Sequence, residues 1–163
     1  MRRSLSLFLL LAACQEQGAT TNMVFAGAKL EAAAIDAGLV LDPERATLIG
    51  SWAAESDRVC VAPGDGGRER IGVLLDYGQG NGCVAAGMVS RAGNRLDVDL
   101  GRCRIDGRFD GERISFPADV PRECGQLCRG NATLSARSVA RVSDSAAEAA
   151  TLRAPSGRLL CAD

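Results

Sequence analysis

Residues 95–100 read RLDVDL, each charged side chain followed by an apolar one. Strict alternation over six residues is period two, the pattern of a strand with one buried and one solvated face. The spacing predicts Leu96, Val98 and Leu100 inward and Asp97 and Asp99 outward. The same period extends to both sides. RIGVLLDY (70–77) puts Ile71, Val73 and Leu75 on one face, and RCRIDGRF (102–109) puts Cys103 and Ile105 inward. LIGSWAA (48–54), VCVA (59–62) and RISF (113–116) are further short strands, and CVAAGMVS (83–90) is apolar almost throughout. Glycine-rich punctuation (PGDGG, GQGNG, RAGN, FDGE) separates them. Turn signals about every 8–12 residues predict an antiparallel sheet that closes or packs on itself, so the expected fold is mainly β, a small barrel or sandwich. No helix fits between consecutive strands, which excludes βαβ units.

Both flanks change period. In AGAKLEAAAIDAGLVLDP (26–43), Leu30, Ala33, Ala34 and Ala37 recur at helical spacing, with Gly38 as C-terminal cap and Pro43 beyond it. A helix is expected over about residues 25–37, and its alanines leave little to bury. At the other end, ATLSARSVARVS (132–143) reads as another strand pair. Ser145 with Glu148 reads as a capping box opening a short helix to about Leu152, and RLLC (158–161) as a final strand. Trp52 is expected in the core. Ile49 and Trp52 share a face only if a bulge forms at Gly50.

The first fourteen residues, MRRSLSLFLLLAAC, join Arg2 and Arg3 to an apolar run from Leu5 to Leu11, then two alanines and Cys14. A positive start, a short apolar core and small residues at the cleavage point make a secretory signal; about 20 apolar residues would be needed to span a membrane. Leu11-Ala12-Ala13-Cys14 resembles the lipobox of bacterial lipoprotein precursors. That resemblance implies cleavage after residue 13 and acylation of Cys14, palmitate among the chains. It implies anchoring in the cell envelope, with the outer membrane favoured by Gln15 and the domain facing the periplasm. The expected organisation is a signal peptide (1–13), a flexible tether (14–22) and one disulfide-containing β-rich domain (23–163).

Exported chains form disulfides, and six cysteines remain besides Cys14: Cys60, Cys83, Cys103, Cys124, Cys128 and Cys161. Keeping every bridge between expected neighbours pairs Cys60 with Cys83, Cys124 with Cys128, and Cys103 with Cys161. A zinc site would need a second short-spaced pair or histidine, and the chain has no histidine. Cys124 and Cys128 also lack the C-x-x-C spacing of a redox pair. No metal and no cofactor are expected.

Other chemistry finds little support. The formal net charge of −1 gives no attraction for nucleic acid, and one Trp, one Tyr and four Phe provide few stacking platforms. GQGNG precedes a strand, not the helix a phosphate cradle requires, so it reads as a hairpin loop. Asp97, Asp99, Asp106, Asp110 and Glu112 interleave with Arg95, Arg102, Arg104 and Arg108, and cross-strand Arg–Asp pairing on a solvated face is expected to account for them. Ser51, Ser90 and Ser115 have no histidine to activate them, and the one lysine, Lys29, lies in the N-terminal helix. No catalytic residue is assigned.

What remains is a binding or inhibitor-type module on an acyl anchor, facing an envelope protein or a small envelope ligand. In plan alone it resembles the lipid-anchored lysozyme inhibitors, without their motif residues. A structural accessory of envelope assembly and a carboxylate-dependent hydrolase are the alternatives. Only a thiol at the end of the lipobox accepts the lipid. Cys14→Ala is therefore expected to move the protein from the detergent to the aqueous phase on phase partitioning; a variant that still enters the detergent phase would refute the anchor.

Overall fold

The structure, a computed structural model, describes residues 19–162, with side chains described from Ala26 onward. The chain forms two compact units, one ending at Val40 and one beginning at Leu41. The lipobox, Cys14 and the tether up to residue 18 lie outside the described residues.

The first unit contains helix α1 (Ala19–Asp36), which begins inside the stretch read as tether. The helix read as part of the β-rich domain thus falls in a separate unit. Gly38 ends it as expected: with φ +68° it lets its own N–H reach the Ile35 carbonyl and the Leu39 N–H reach that of Ala34. This pair of bonds is the Schellman arrangement. None of its described side chains is buried.

The second unit is a closed antiparallel barrel of eight strands. They are β1 (Gly50–Ala54), β2 (Asp57–Ala62), β3 (Glu69–Asp76), β4 (Gly82–Ala92), β5 (Arg95–Leu100), β6 (Cys103–Phe109), β7 (Arg113–Ser115) and β9 (Ser138–Ser143). Each pairs with the next in this order, and β9 closes the ring on β1. The two-residue β8 (Cys128–Arg129) lies outside the ring, paired with the start of β4. A six-residue 3-10 helix, Arg122–Leu127, precedes it.

Period-two alternation fills the interior. Val59, Val61, Ile71, Val73, Leu75, Val89, Leu96, Val98, Ile105 and Ile114 form one buried cluster with Trp52 and Phe109. An eight-stranded barrel is just wide enough for side chains to fill it. A void of about 10 Å³ bounded by Val59, Val73, Leu75, Ile114, Phe116, Arg137 and Val139 leaves room for about one water molecule.

A second apolar layer covers part of the outer wall. Cys60, Ala62, Leu74, Val84 and Ala86 point outward from β2, β3 and β4 and pack against Ala149, Leu152, Ala154, Leu160 and Cys161 of the C-terminal tail. Gly72 permits the close approach, since a Cβ there would lie 2.5 Å from the Leu160 Cβ and 2.7 Å from the Cys60 sulfur. The tail is no final strand. RLLC contributes one isolated bridge, Arg153 to Leu159, and residues 132–137 form turns instead of half a strand pair. Ser145 caps α2 (Ala146–Ala149) by accepting from the Glu148 N–H, but the helix stops before Leu152.

All six cysteines of this unit are paired, in a different set from the one expected: Cys60–Cys161, Cys83–Cys128 and Cys103–Cys124. The reason is sidedness. Val59 and Val61 face inward, so Cys60 faces out, whereas Cys83 faces in; β3 also lies between them. Cys103 is inside the barrel and Cys161 on its outer wall, which forbids that bridge as well. Cys124 and Cys128 each reach back to a barrel strand, and Cys128 is the register partner of Cys83.

Trp52 is 1% exposed, as a core residue should be, but the bulge that admits it is placed differently. Ser51 pairs with Ser143 and Trp52 with Arg141, so Val142 is the extra residue, on β9. Leu48, not Ile49, joins Trp52 inside. The ring meets Phe109 edge-on at 5.6 Å, and its N–H donates to the Leu48 carbonyl at 3.3 Å. Trp52→Ala is expected to destabilise the fold by about 3–5 kcal/mol in urea unfolding, because a cavity remains where so much ring was buried. A cost under about 1 kcal/mol would mean that the barrel collapses around the gap.

Candidate functional site

The two ends of the barrel are closed by different chemistry. At one end Arg141 lies over the Trp52 ring at 4.1 Å and Arg91 over Phe109 at 4.6 Å. Their guanidinium groups donate to the backbone of the segment that crosses this end. Arg91 reaches the carbonyls of Pro43 and Ala46; Arg141 reaches those of Thr47, Ile49 and Gly111. Burial pulls the Arg141 guanidinium below its usual value, partly offset by Asp144 and Glu112. Two planar cations stacked on two rings make a lid.

The other end carries Asp57, Tyr77 and Arg137. Arg137 donates to the Tyr77 hydroxyl at 2.8 Å and lies 3.8 Å from the Asp57 carboxylate. Asp57 is 7% exposed, and its Oδ1 has no hydrogen-bond partner among the described residues. Burial raises the Asp57 carboxyl above its ordinary range; the hydrogen bond to Tyr77 and the charge of Arg137 pull the other way, and Glu55 adds to the rise. Tyr77 is likewise raised, by burial and by Asp57. The three side chains close this end of the barrel.

A concavity of useful size lies outside. A groove of about 480 Å³ runs along the outer wall of β3 and β4. Leu74 and Val84, cross-strand partners, form its floor together with Leu127 and Ala154. Asp76, Asn81, Gln126, Arg129, Ser156 and Arg158 supply its polar rim. The β3–β4 loop forms one wall. Its Tyr77 N–H and Asn81 carbonyl are bonded at 3.0 Å, and Asp76 accepts from the Gly78 N–H. GQGNG is thus the expected hairpin loop, and it borders the groove. Cys83–Cys128 fastens the β8 wall to the barrel, and Cys60–Cys161 anchors the tail that supplies the third.

The residues weighed from the sequence are dispersed. Asp99 pairs with Arg104 at 3.0 Å and lies 3.8 Å from Arg68. Among the described residues, cross-strand Arg–Asp pairing on β5 and β6 does not extend further: register sets Asp97 opposite Asp106 and Arg95 opposite Arg108. Only diagonal neighbours of opposite sign offset these like-charge pairs. Asp110 serves its turn, accepting from the N–H groups of Glu112 and Arg113 at 2.9 and 2.7 Å. The Ser115 hydroxyl meets the Ser138 hydroxyl at 3.1 Å. Among the described residues no group of three or more histidine, cysteine or acidic side chains is placed to hold a metal, and no helix is long and apolar enough to cross a membrane. Sequence reading missed the groove altogether. The signal available for it was the apolar character of CVAAGMVS on both faces, which marks a strand covered on both sides.

Fold and groove together define a class: a filled, disulfide-stapled meander barrel with a second layer on one wall. No family model matches the chain, and no curated protein or solved structure matches it.

A folded-state value above the unfolded one makes protonated Asp57 the form the fold prefers. Its stabilising contribution is complete below the ordinary value of 3.8 and is lost as pH rises through the raised folded value. Asp57→Asn, neutral at every pH, is therefore expected to gain stability relative to the parent as pH rises from about 3.5 to 7. Urea unfolding of both proteins across that range checks it. A stability difference that stays constant with pH would show that Asp57 ionises without cost.

Proposed function

We propose that this protein is a lipid-anchored, periplasm-facing binding module of the bacterial envelope. It is held by Cys14 and engages its partner on the outer wall of the barrel; it binds and does not catalyse. One observation carries the placement of binding. The barrel interior is packed with side chains and both ends are closed, while a groove of about 480 Å³ lies outside on a wall fastened by two disulfides. A wall held in place before binding loses little conformational entropy when a partner docks, which suits recognition.

A structural accessory of envelope assembly is the second reading. Two consecutive exposed apolar residues of the first unit, Leu39 and Val40, favour it, since such a pair suits contact with another component. In living cells, a photo-crosslinking amino acid in place of Leu127 (groove) is expected to capture a discrete partner in the full-length protein. The same residue in place of Arg104 (β6 outer face) should not, and Cys14→Ala should abolish capture. Capture only from position 40, with none from position 127, would instead establish the accessory reading.

A further inference from the structure

The groove rim holds two arginines that no acid among the described residues pairs. Arg129, on β8, and Arg158, in the tail, are exposed, and neither has an ion pair or side-chain hydrogen bond among the described residues. Arg104 and Arg137, by contrast, are each engaged by an acid. Asp76 also lines the groove, so the rim carries a single net positive charge and suits one carboxylate better than a doubly charged phosphate. Beneath the rim the floor is aliphatic. No aromatic ring lines it, which disfavours sugars and bases, ligands that stack on rings. Asn81 and Gln126 offer both donors and acceptors along the edge, as a peptide backbone requires. The small acidic excess of the whole chain opposes docking on an anionic lipid surface.

We infer that this groove takes an extended peptide segment of a partner protein, with one carboxylate on Arg129 and Arg158 and aliphatic side chains on Leu74, Val84 and Leu127. The inference rests on the binding-module reading and specifies its ligand. The test uses the full-length protein in its native membrane, with the photo-crosslinking amino acid in place of Leu127 and the joined peptide sequenced by mass spectrometry. The expected adduct is a peptide containing aspartate, glutamate or a C-terminal carboxylate beside aliphatic residues. Arg129→Gln with Arg158→Gln should lower its yield about tenfold, as loss of a charge-assisted contact does, and the two lysine substitutions should restore most of it. Both arginines are exposed, so the variants should keep the parent's unfolding midpoint. An acyl or glycan adduct, a peptide without a carboxylate, or a yield indifferent to the glutamine substitutions would overturn the inference while leaving the binding-module reading in place. Absence of any adduct at position 127 would overturn both.

Discussion

The closure of β9 onto β1 is the constraint on which the rest depends. Without it the meander would leave two open edges, each a row of unpaired backbone groups. With it, all eight strands are paired on both sides and the interior becomes a sealed volume that side chains must fill. The seam is tight. A Cβ at Gly50 would lie 2.1 Å from the Ser143 carbonyl oxygen, and the backbone there has φ +144°, a conformation open essentially to glycine. The bulge at Val142 then turns Arg141 toward the Trp52 ring, so the closure also supplies a lid. One local distortion thus joins the sheet edges and caps the cylinder.

A filled barrel moves function to its surface, and the surface is not uniform. β5 and β6 present charged residues to water, as RLDVDL foretells. β2, β3 and β4 present apolar residues on both faces, and the tail supplies their second cover. Gly72 matters here because the absence of a side chain brings Leu160 and Cys60 into contact above it. The tail would otherwise rest on a ridge. The Cys60–Cys161 bridge then makes a layer of few contacts permanent, a cross-link that a chain so poor in aromatic residues needs.

What the sequence disclosed and what it hid divide along one line: local period against long-range sidedness. Leu96, Val98 and Leu100, Ile71, Val73 and Leu75, and Cys103 with Ile105 were all assignable to the inner face, because alternation is a property of neighbours in the chain. The Gly38 cap and the Ser145 cap were legible for the same reason. The disulfide set was not, although half its logic was present: Cys60 between two inward valines must point outward and cannot meet Cys83. The destination of the tail was hidden, because an isolated bridge and a few alanine contacts have no period. Register was hidden too. Nothing in the order of Asp97, Arg95, Asp106 and Arg108 says that like charges will face each other across β5 and β6. The tight turn at Glu55-Ser56 places a glutamate, not a glycine or asparagine, at φ +50°.

The arginines show how one side chain serves opposite ends in this fold. Arg91 and Arg141 are half-buried, stacked on rings and bonded to backbone carbonyls, so their planar faces and their forked donors are both used. A lysine in either place would give up the stacking and most of the bonds, since an ammonium is compact and strongly hydrated. Arg104 and Arg137 hold acids at the wall and at the far end. Arg129 and Arg158 have the same donors with no acceptor among the described residues, beside a groove whose floor is aliphatic. Fixed walls and uncommitted donors are what recognition of an outside carboxylate requires, and the lid at the other end of the barrel shows why those donors are not needed to hold the fold.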